Sequence, residues 1–337
     1  MRRRRHVLAR LLLPVALGVA VYAGLALYGQ SGALAAALAR FPTWFVAPVL
    51  ALALANYLLR FVRWQYYLHR CNVAIEARRS AAIFFSGLAM SVTPGRFGEL
   101  FKCAMLREER ALRLSVSIPL VLTERVTDLA AICLLVGIGV LRYPVGRTAF
   151  LVVAALVLAV VLALSISPTF AAKVARLLDR VALRKGLAAT ATADEVATVF
   201  ATLLRGRALV IGVALGAVAW FAECLALLVV VEGLGFTNLA VSAATFVYAL
   251  STLGGAVSLL PGGLGVTEVS MAALLSVFAL PGQLAIAGVV IVRLCTLWFA
   301  TVLGLGVYLL HHRSVARLEL SVSSSADLDA EGSFVGR

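Results

Sequence analysis

The segments Ser91-Val92-Thr93-Pro94-Gly95-Arg96-Phe97-Gly98 and Ser258-Leu259-Leu260-Pro261-Gly262-Gly263-Leu264-Gly265 are two copies of one turn. A serine, a proline and two glycines recur at a constant displacement of 167 residues. Gly87 and Gly254 keep that displacement upstream, and Gly137 and Gly304 keep it downstream. Arg125 and Arg293 match within one residue, Glu99 and Glu268 within two. Agreement over about 50 residues points to an internal duplication.

Each turn interrupts an apolar stretch, the first at about 80–100 and the second at about 241–280. The arms are short against the ~20 residues that one clean crossing needs. Two re-entrant helical hairpins, buried in protein rather than facing lipid, are the economical reading. Further complete crossings at one or both places are the alternative.

Outward from the turns, apolar runs at about 7–28, 44–66, 115–141, 148–166, 208–231 and 283–310 have the length of full spans. The chain of 337 residues is 62% hydrophobic and only 14% charged, with a mean hydropathy of +1.01. That balance excludes a disordered protein, a nucleic-acid-binding domain and an ordinary soluble enzyme. The expected fold is an all-α polytopic membrane protein of about six full transmembrane helices plus two re-entrant hairpins. Its expected organisation is a basic segment and first helix (1–43), a first repeat unit (44–141), a connecting helix and cytoplasmic loop (142–207), a second unit (208–310) and a disordered tail (311–337).

The net charge of +14 is distributed by side of the membrane. With the N-terminus inside, 22 Lys and Arg fall in cytoplasmic segments, Lys102 among them, and three (Arg40, Arg142, Arg147) fall outside. Such asymmetry orients both termini towards the cytoplasm, in the inner (plasma) membrane. In that orientation the first unit enters its hairpin from the cytoplasm and the second from outside. The units are inverted, an architecture of alternating-access transporters. In the 168–207 loop, Val174, Leu177, Leu178 and Val181 recur at helical spacing among basic residues, which suits an amphipathic segment on the cytoplasmic leaflet. The five cysteines show no metal spacing, so neither a metal nor a disulfide is expected.

The polar residues inside the membrane carry the functional reading. A half-helix is expected to start at each of Pro94 and Pro261, its free N–H groups favouring an anion. Gly95, Gly98, Gly262, Gly263 and Gly265 let a head group approach the backbone. Glu124, Arg125 and Asp128 share one face of the third full span near mid-bilayer, and Arg293 lies at similar depth in the matching span. Each such charge costs about 2.5–3.5 kcal/mol at a helix centre, so the group must face protein or water. One reading is an ion-pair lock between the repeats. The other is an anion site of Arg96, Arg125 and Arg293, with Glu99, Glu124, Asp128 and Glu268 as counter-ions or proton carriers. Arg60, Arg63 and Trp64 read as interfacial anchors, with a first phosphate contact, above all from Arg63, as the alternative. Glu223 is a further intramembrane acid without an evident role. The histidines lie at membrane ends and no catalytic motif appears, so no catalytic residue, enzyme activity or cofactor is expected.

Arg60-Phe-Val-Arg-Trp64, Thr93-Pro-Gly-Arg-Phe-Gly-Glu-Leu100, Thr123-Glu-Arg-Val-Thr-Asp128 and Leu260-Pro-Gly-Gly-Leu-Gly-Val-Thr-Glu268 occur in an order that resembles the flippase-like family built on the transmembrane region of lysylphosphatidylglycerol synthases. The resemblance spans most of residues 7–310. Multidomain members of that family flip an aminoacylated phospholipid made by a separate cytosolic domain, which this chain is expected to lack. The resemblance therefore implies lipid movement and no synthase activity. Stand-alone relatives serve diverse envelope lipids, so it leaves the substrate open. The expected function is a flippase for an anionic, phosphate-containing lipid, either a phospholipid or a polyprenyl-phosphate-type intermediate. A lipid-synthesising enzyme is a possible partner, and nucleic acid is not. A secondary transporter of a small soluble anion and a membrane accessory subunit or enzyme of envelope lipid synthesis are the alternatives.

Overall fold

A computed structural model of the chain describes residues 16–24, 27, 31–93, 101–108, 112–143, 147–167, 169–170, 172–173, 176 and 193–311. The protein is all-helical. We number the helices α1 (16–24), α2 (Ser31–Arg40), α3 (Val46–Arg70), α4 (Ala77–Leu88), α5 (Phe101–Glu108), α6 (Leu114–Val140), α7 (Arg147–Ile166), α8 (Ala193–Leu203), α9 (Gly206–Gly233), α10 (Val241–Val257), α11 (Val266–Val277) and α12 (Gly282–His311).

Among the described residues, three helices are long and apolar enough to cross a bilayer by length and composition: Thr43–Arg70, Gly206–Gly233 and Gly282–His311. Helix α6 matches them at 27 residues but carries Glu124, Arg125 and Asp128 midway. The long helices are apolar all round because their outer side meets lipid rather than water. On α6, Leu134 and Ile138 face outward while Ala131, Ile132, Leu135 and Val136 are buried.

Shifted by 167 residues, α3, α4, α5 and α6 fall on α9, α10, α11 and α12 in turn. Three of the hairpin arms are described from end to end and are short: 12 residues for α4, 17 for α10 and 12 for α11. At ~1.5 Å per residue these reach roughly 18–26 Å, less than the ~30 Å hydrocarbon core, which fits re-entrant arms.

The equivalent helices α3 and α9 pack antiparallel along their lengths. Tyr67 lies at Gly212 and Arg63 at Gly216, while at the other end Phe45 lies at Gly233. Between them, the Asn56 side-chain amide donates to the Ala219 carbonyl at 2.8 Å. A Cβ on Gly216 would stand 2.8 Å from Nη1 of Arg63, so the small-xxx-small spacing of Gly212 and Gly216 lets the helices close. Because equivalent helices run in opposite directions, the two copies are inverted about an axis perpendicular to this seam.

The copies then exchange partners. Helix α6 packs on α10, with Phe246 against Gly139, while α12 packs on the end of the first hairpin, with Gly304 against Ala89. The turns meet: Met90 and Val92 join Leu264, Leu297 and Tyr308 in one apolar cluster. In the second turn Gly262 and Gly263 adopt φ of +59° and +68°, and Gly255 lies against Thr267 and Gly263. Side chains at these three positions would force the arms apart.

Two features depart from the sequence reading. Helix α11 begins at Val266, capped at Gly265, rather than at Pro261. Helix α8, within the segment expected to lie on the leaflet, instead buries Val196, Phe200 and Leu203, with Val196 and Phe200 packed beside Leu164. Val174, Leu177, Leu178 and Val181 lie outside the described residues, as does the tail from 312 onward.

Candidate functional site

Among the described residues, the buried charged side chains other than Glu223 fall into three groups, each within one copy. In the first copy, Lys102 on α5 donates from Nζ to Oε2 of Glu124 on α6 at 2.6 Å. Its ammonium also lies 4.6 Å from the ring centre of Trp64 and 5.0 Å from that of Phe84. Lys102 had been counted with the cytoplasmic segments on sequence grounds. It is 2% exposed and belongs to the core instead.

Asp128, one turn beyond Glu124, takes different partners. Arg63 Nη2 donates to its Oδ1 at 2.6 Å, and Arg125 and Arg60 stand 3.1 and 3.7 Å from its Oδ2. Arg60, Arg63 and Trp64 are all buried, so they are not interfacial anchors. Trp64 Nε1 donates to Ser80 Oγ at 3.0 Å, and Arg60 lies over the Trp220 ring of α9 at 5.9 Å. Among the described residues, one carboxylate thus stands amid three guanidiniums.

In the second copy, Arg293 Nε donates to Oε1 of Glu268 at 2.6 Å, and its Nη2 donates to the Gly262 carbonyl at 2.8 Å. The other oxygen of Glu268 accepts the Gly265 N–H at 2.7 Å. The positive end of α11 is thus met by the chain's own carboxylate. Directly after Arg293, α12 widens into a π turn at Leu294–Trp298. The Thr296 carbonyl accepts the Tyr57 hydroxyl at 2.6 Å, which ties this turn to α3.

A cavity of about 250 Å³ lies between α6 and the second hairpin. Arg125 and Asp128 enter it from α6, Trp220 from α9 and Arg293 from α12, while Gly262, Gly263 and Thr267 form the wall of the turn. Most of the remaining lining is aliphatic. Leu259 and Leu260, which are 60% and 41% exposed, are part of that lining. Thr252 Oγ1 also lines it, buried and without a hydrogen-bond partner among the described residues.

Of the residues singled out in the sequence, Arg125, Arg293, Asp128, Gly262 and Gly263 come together at this cavity. Glu124, Glu268, Gly265, Arg63 and Pro261 are not part of its lining: Glu124 is paired with Lys102, Glu268 with Arg293 and the Gly265 N–H, and Arg63 with Asp128, while Pro261 starts the turn. Pro94, Gly95, Arg96, Gly98 and Glu99 fall outside the described residues. Sequence reasoning missed Lys102, Trp220 and Thr252. For Lys102 a signal existed: in each copy one charge follows the turn and an opposite charge follows within the next long helix.

Antiparallel equivalent helices, interrupted helices whose turns meet, and charged residues buried among long apolar helices define a polytopic helical membrane protein of the inverted-repeat kind. The lysylphosphatidylglycerol synthase transmembrane region family matches residues 15–304, and the chain belongs to that family. Over 90 residues it is 40% identical to a UPF0104 membrane protein of Methanothermobacter thermautotrophicus. That stretch is 27% of this chain and 27% of the relative's length.

Proposed function

We propose that the protein moves an anionic, phosphate-bearing lipid or lipid-linked intermediate between the leaflets of the plasma membrane. The observation that carries this reading is the joint placement of Arg125 and Arg293 on one cavity whose lining is otherwise mostly aliphatic and includes the exposed Leu259 and Leu260. Two guanidiniums suit a phosphate, and an aliphatic wall lets hydrocarbon tails stay in the bilayer while the head group enters. A carrier of small soluble anions needs the opposite, a polar opening towards water. The family's name, which couples this membrane region to a phospholipid synthase, supports a lipid ligand. The excess of basic residues on one side favours cytoplasmic termini. In this reading the protein is a carrier without catalytic residues, and an enzyme that makes the lipid is its natural partner.

The direct test is leaflet exchange of labelled phosphatidylglycerol in proteoliposomes, with phosphatidylcholine as the zwitterionic control. Wild type exchanges the anionic lipid selectively. Arg125→Ala, shown folded by gel filtration, loses most of that rate, and Arg125→Lys keeps part of it. Normal exchange by folded Arg125→Ala removes the arginine site from the mechanism.

A further inference from the structure

Behind the cavity, sharing Trp220, Thr252 and Arg293 as common wall, is a second chamber of about 20 Å³, room for roughly one water molecule. Glu223 of α9 opens into it, only 6% exposed, and its Oε2 accepts the Tyr248 hydroxyl at 2.7 Å. A carboxylate at this depth is costly to keep, and none of the ion pairs described above requires it.

Its position in the repeat is informative. Shifted back by 167 residues, Glu223 falls on Asn56, and Asn56 hydrogen-bonds across the α3–α9 seam to Ala219. The two equivalent positions therefore lie close to the axis that relates the copies. One holds an amide that cannot titrate and the other a carboxylate that can. A group near this axis stays in place while either side of the protein opens.

Glu124 is held by Lys102, Asp128 by Arg63 and Arg125, and Glu268 by Arg293 and the Gly265 N–H. Around Glu223, α3 presents Tyr57 and Arg60, α10 presents Tyr248, and α12 presents Arg293. Helix α6 acts on this chamber through Asp128, which draws on Arg60. Both guanidiniums thus also serve other acids.

We propose that Glu223, with Tyr248, is a proton-binding site that couples lipid movement to protons, one proton being taken up with each anionic head group. The inference rests on the translocation reading. An anion arriving at Arg293 offsets the positive field that this guanidinium exerts on Glu223, which favours the protonated acid. By reciprocity, a proton on Glu223 leaves Arg293 freer for the anion. The proton comes from water reaching the chamber and returns to water when the head group leaves.

The test is exchange of labelled phosphatidylglycerol in phosphatidylcholine vesicles between pH 6 and pH 8, for wild type, Glu223→Gln and Tyr248→Phe. Wild-type rates rise as pH falls, by up to about tenfold per pH unit for a single coupled proton. Glu223→Gln is flat and stays near the low-pH rate, because the amide imitates the neutral acid. Tyr248→Phe keeps a pH dependence with a displaced midpoint. A flat wild-type profile, or an unchanged profile in Glu223→Gln, overturns the coupling and leaves translocation standing. No exchange by wild type at any pH overturns translocation itself, and the coupling with it. Infrared difference spectra with and without phosphatidylglycerol give a readout that needs no folded glutamine variant. A protonated-carboxyl band that appears with lipid and moves in Glu223→Asp is expected, and its absence overturns the proposal.

Discussion

Lys102 and Glu124 form a buried ion pair of 2.6 Å between the helix that follows the first turn and the long helix after it. The second copy repeats the device with the signs exchanged, Glu268 following the turn and Arg293 in the long helix, again at 2.6 Å. The duplication has kept the fastening and not the residues that make it. Each pair fixes one arm of a hairpin to a span, so each sets where its turn stands.

Removing one partner of such a pair leaves the other charged and buried. Lys102→Met is therefore expected to cost about 3–5 kcal/mol of stability. The double variant Lys102→Glu with Glu124→Lys, which gives the first copy the polarity of the second, is expected to recover most of it. Thermal unfolding of the detergent-solubilised protein checks both, and failure of the exchange to rescue would mean that the charges depend on other neighbours.

Asp128 answers three arginines, so Asp128→Asn leaves an excess of buried positive charge. A loss of about 3–5 kcal/mol is expected, read as lowered unfolding temperature or reduced yield of monodisperse protein. Arg125→Gln, which relieves part of that charge, is expected to restore yield when combined with it.

Gly255 stands against Thr267 and the Cα of Gly263 where the second hairpin closes. Gly255→Ala is expected to destabilise by about 1–3 kcal/mol through overpacking. Gly282→Ala is the control, since nothing lies within 4 Å of a Cβ there. Equal unfolding temperatures for the two would show that the arms are free to move apart.

The cavity can be filled without touching its charges. Leu260→Trp is expected to slow phosphatidylglycerol exchange by about tenfold, some 1.4 kcal/mol in the barrier, with unchanged unfolding temperature. Unaltered exchange would send the lipid by another route.

Cys71 follows the last turn of α3, where burial pushes its thiol up to about 11 against the pull of Arg70. Thiolate is the reacting form, so labelling by a water-soluble maleimide is expected to be slow at pH 7 and to quicken as pH rises. With the proposed orientation, the label reaches Cys71 from the cytoplasmic side alone. Labelling in intact cells by an impermeant reagent would reverse the orientation.

The three long apolar helices and the second turn were legible in the sequence because lipid imposes long apolar runs and tight turns impose proline and glycine. Which charges pair was not legible. Glu124 and Asp128 are one turn apart on α6, yet they find partners on different helices, and only helix packing decides that. Lys102 looked like a loop residue because the chain around it is polar and the turn before it is short. Helix α2 went unnoticed because its alanine-rich sequence has neither the length of a span nor a strong apolar stripe, although Leu34 is buried against Ile286 and Ala287. Arg125 and Arg293 were expected together and do line one cavity. The ends of the half-helices were expected to bind an anion, but in the second copy Glu268 takes that place.

The antiparallel seam of α3 and α9 also constrains how the protein is made. Arg63 finds Asp128 only after 65 further residues, and Asn56 finds the Ala219 carbonyl only after 163. During synthesis α3 enters the membrane long before the surface that shields its polar face exists. The first half must therefore wait, either beside the insertion machinery or against a temporary neighbour, until its inverted twin emerges. Maturation is gated by the second half of the message, and a ribosome stalled after α7 would leave a membrane-embedded intermediate with Asn56 and the α9-facing side of α3 uncovered, a natural substrate for quality-control proteases.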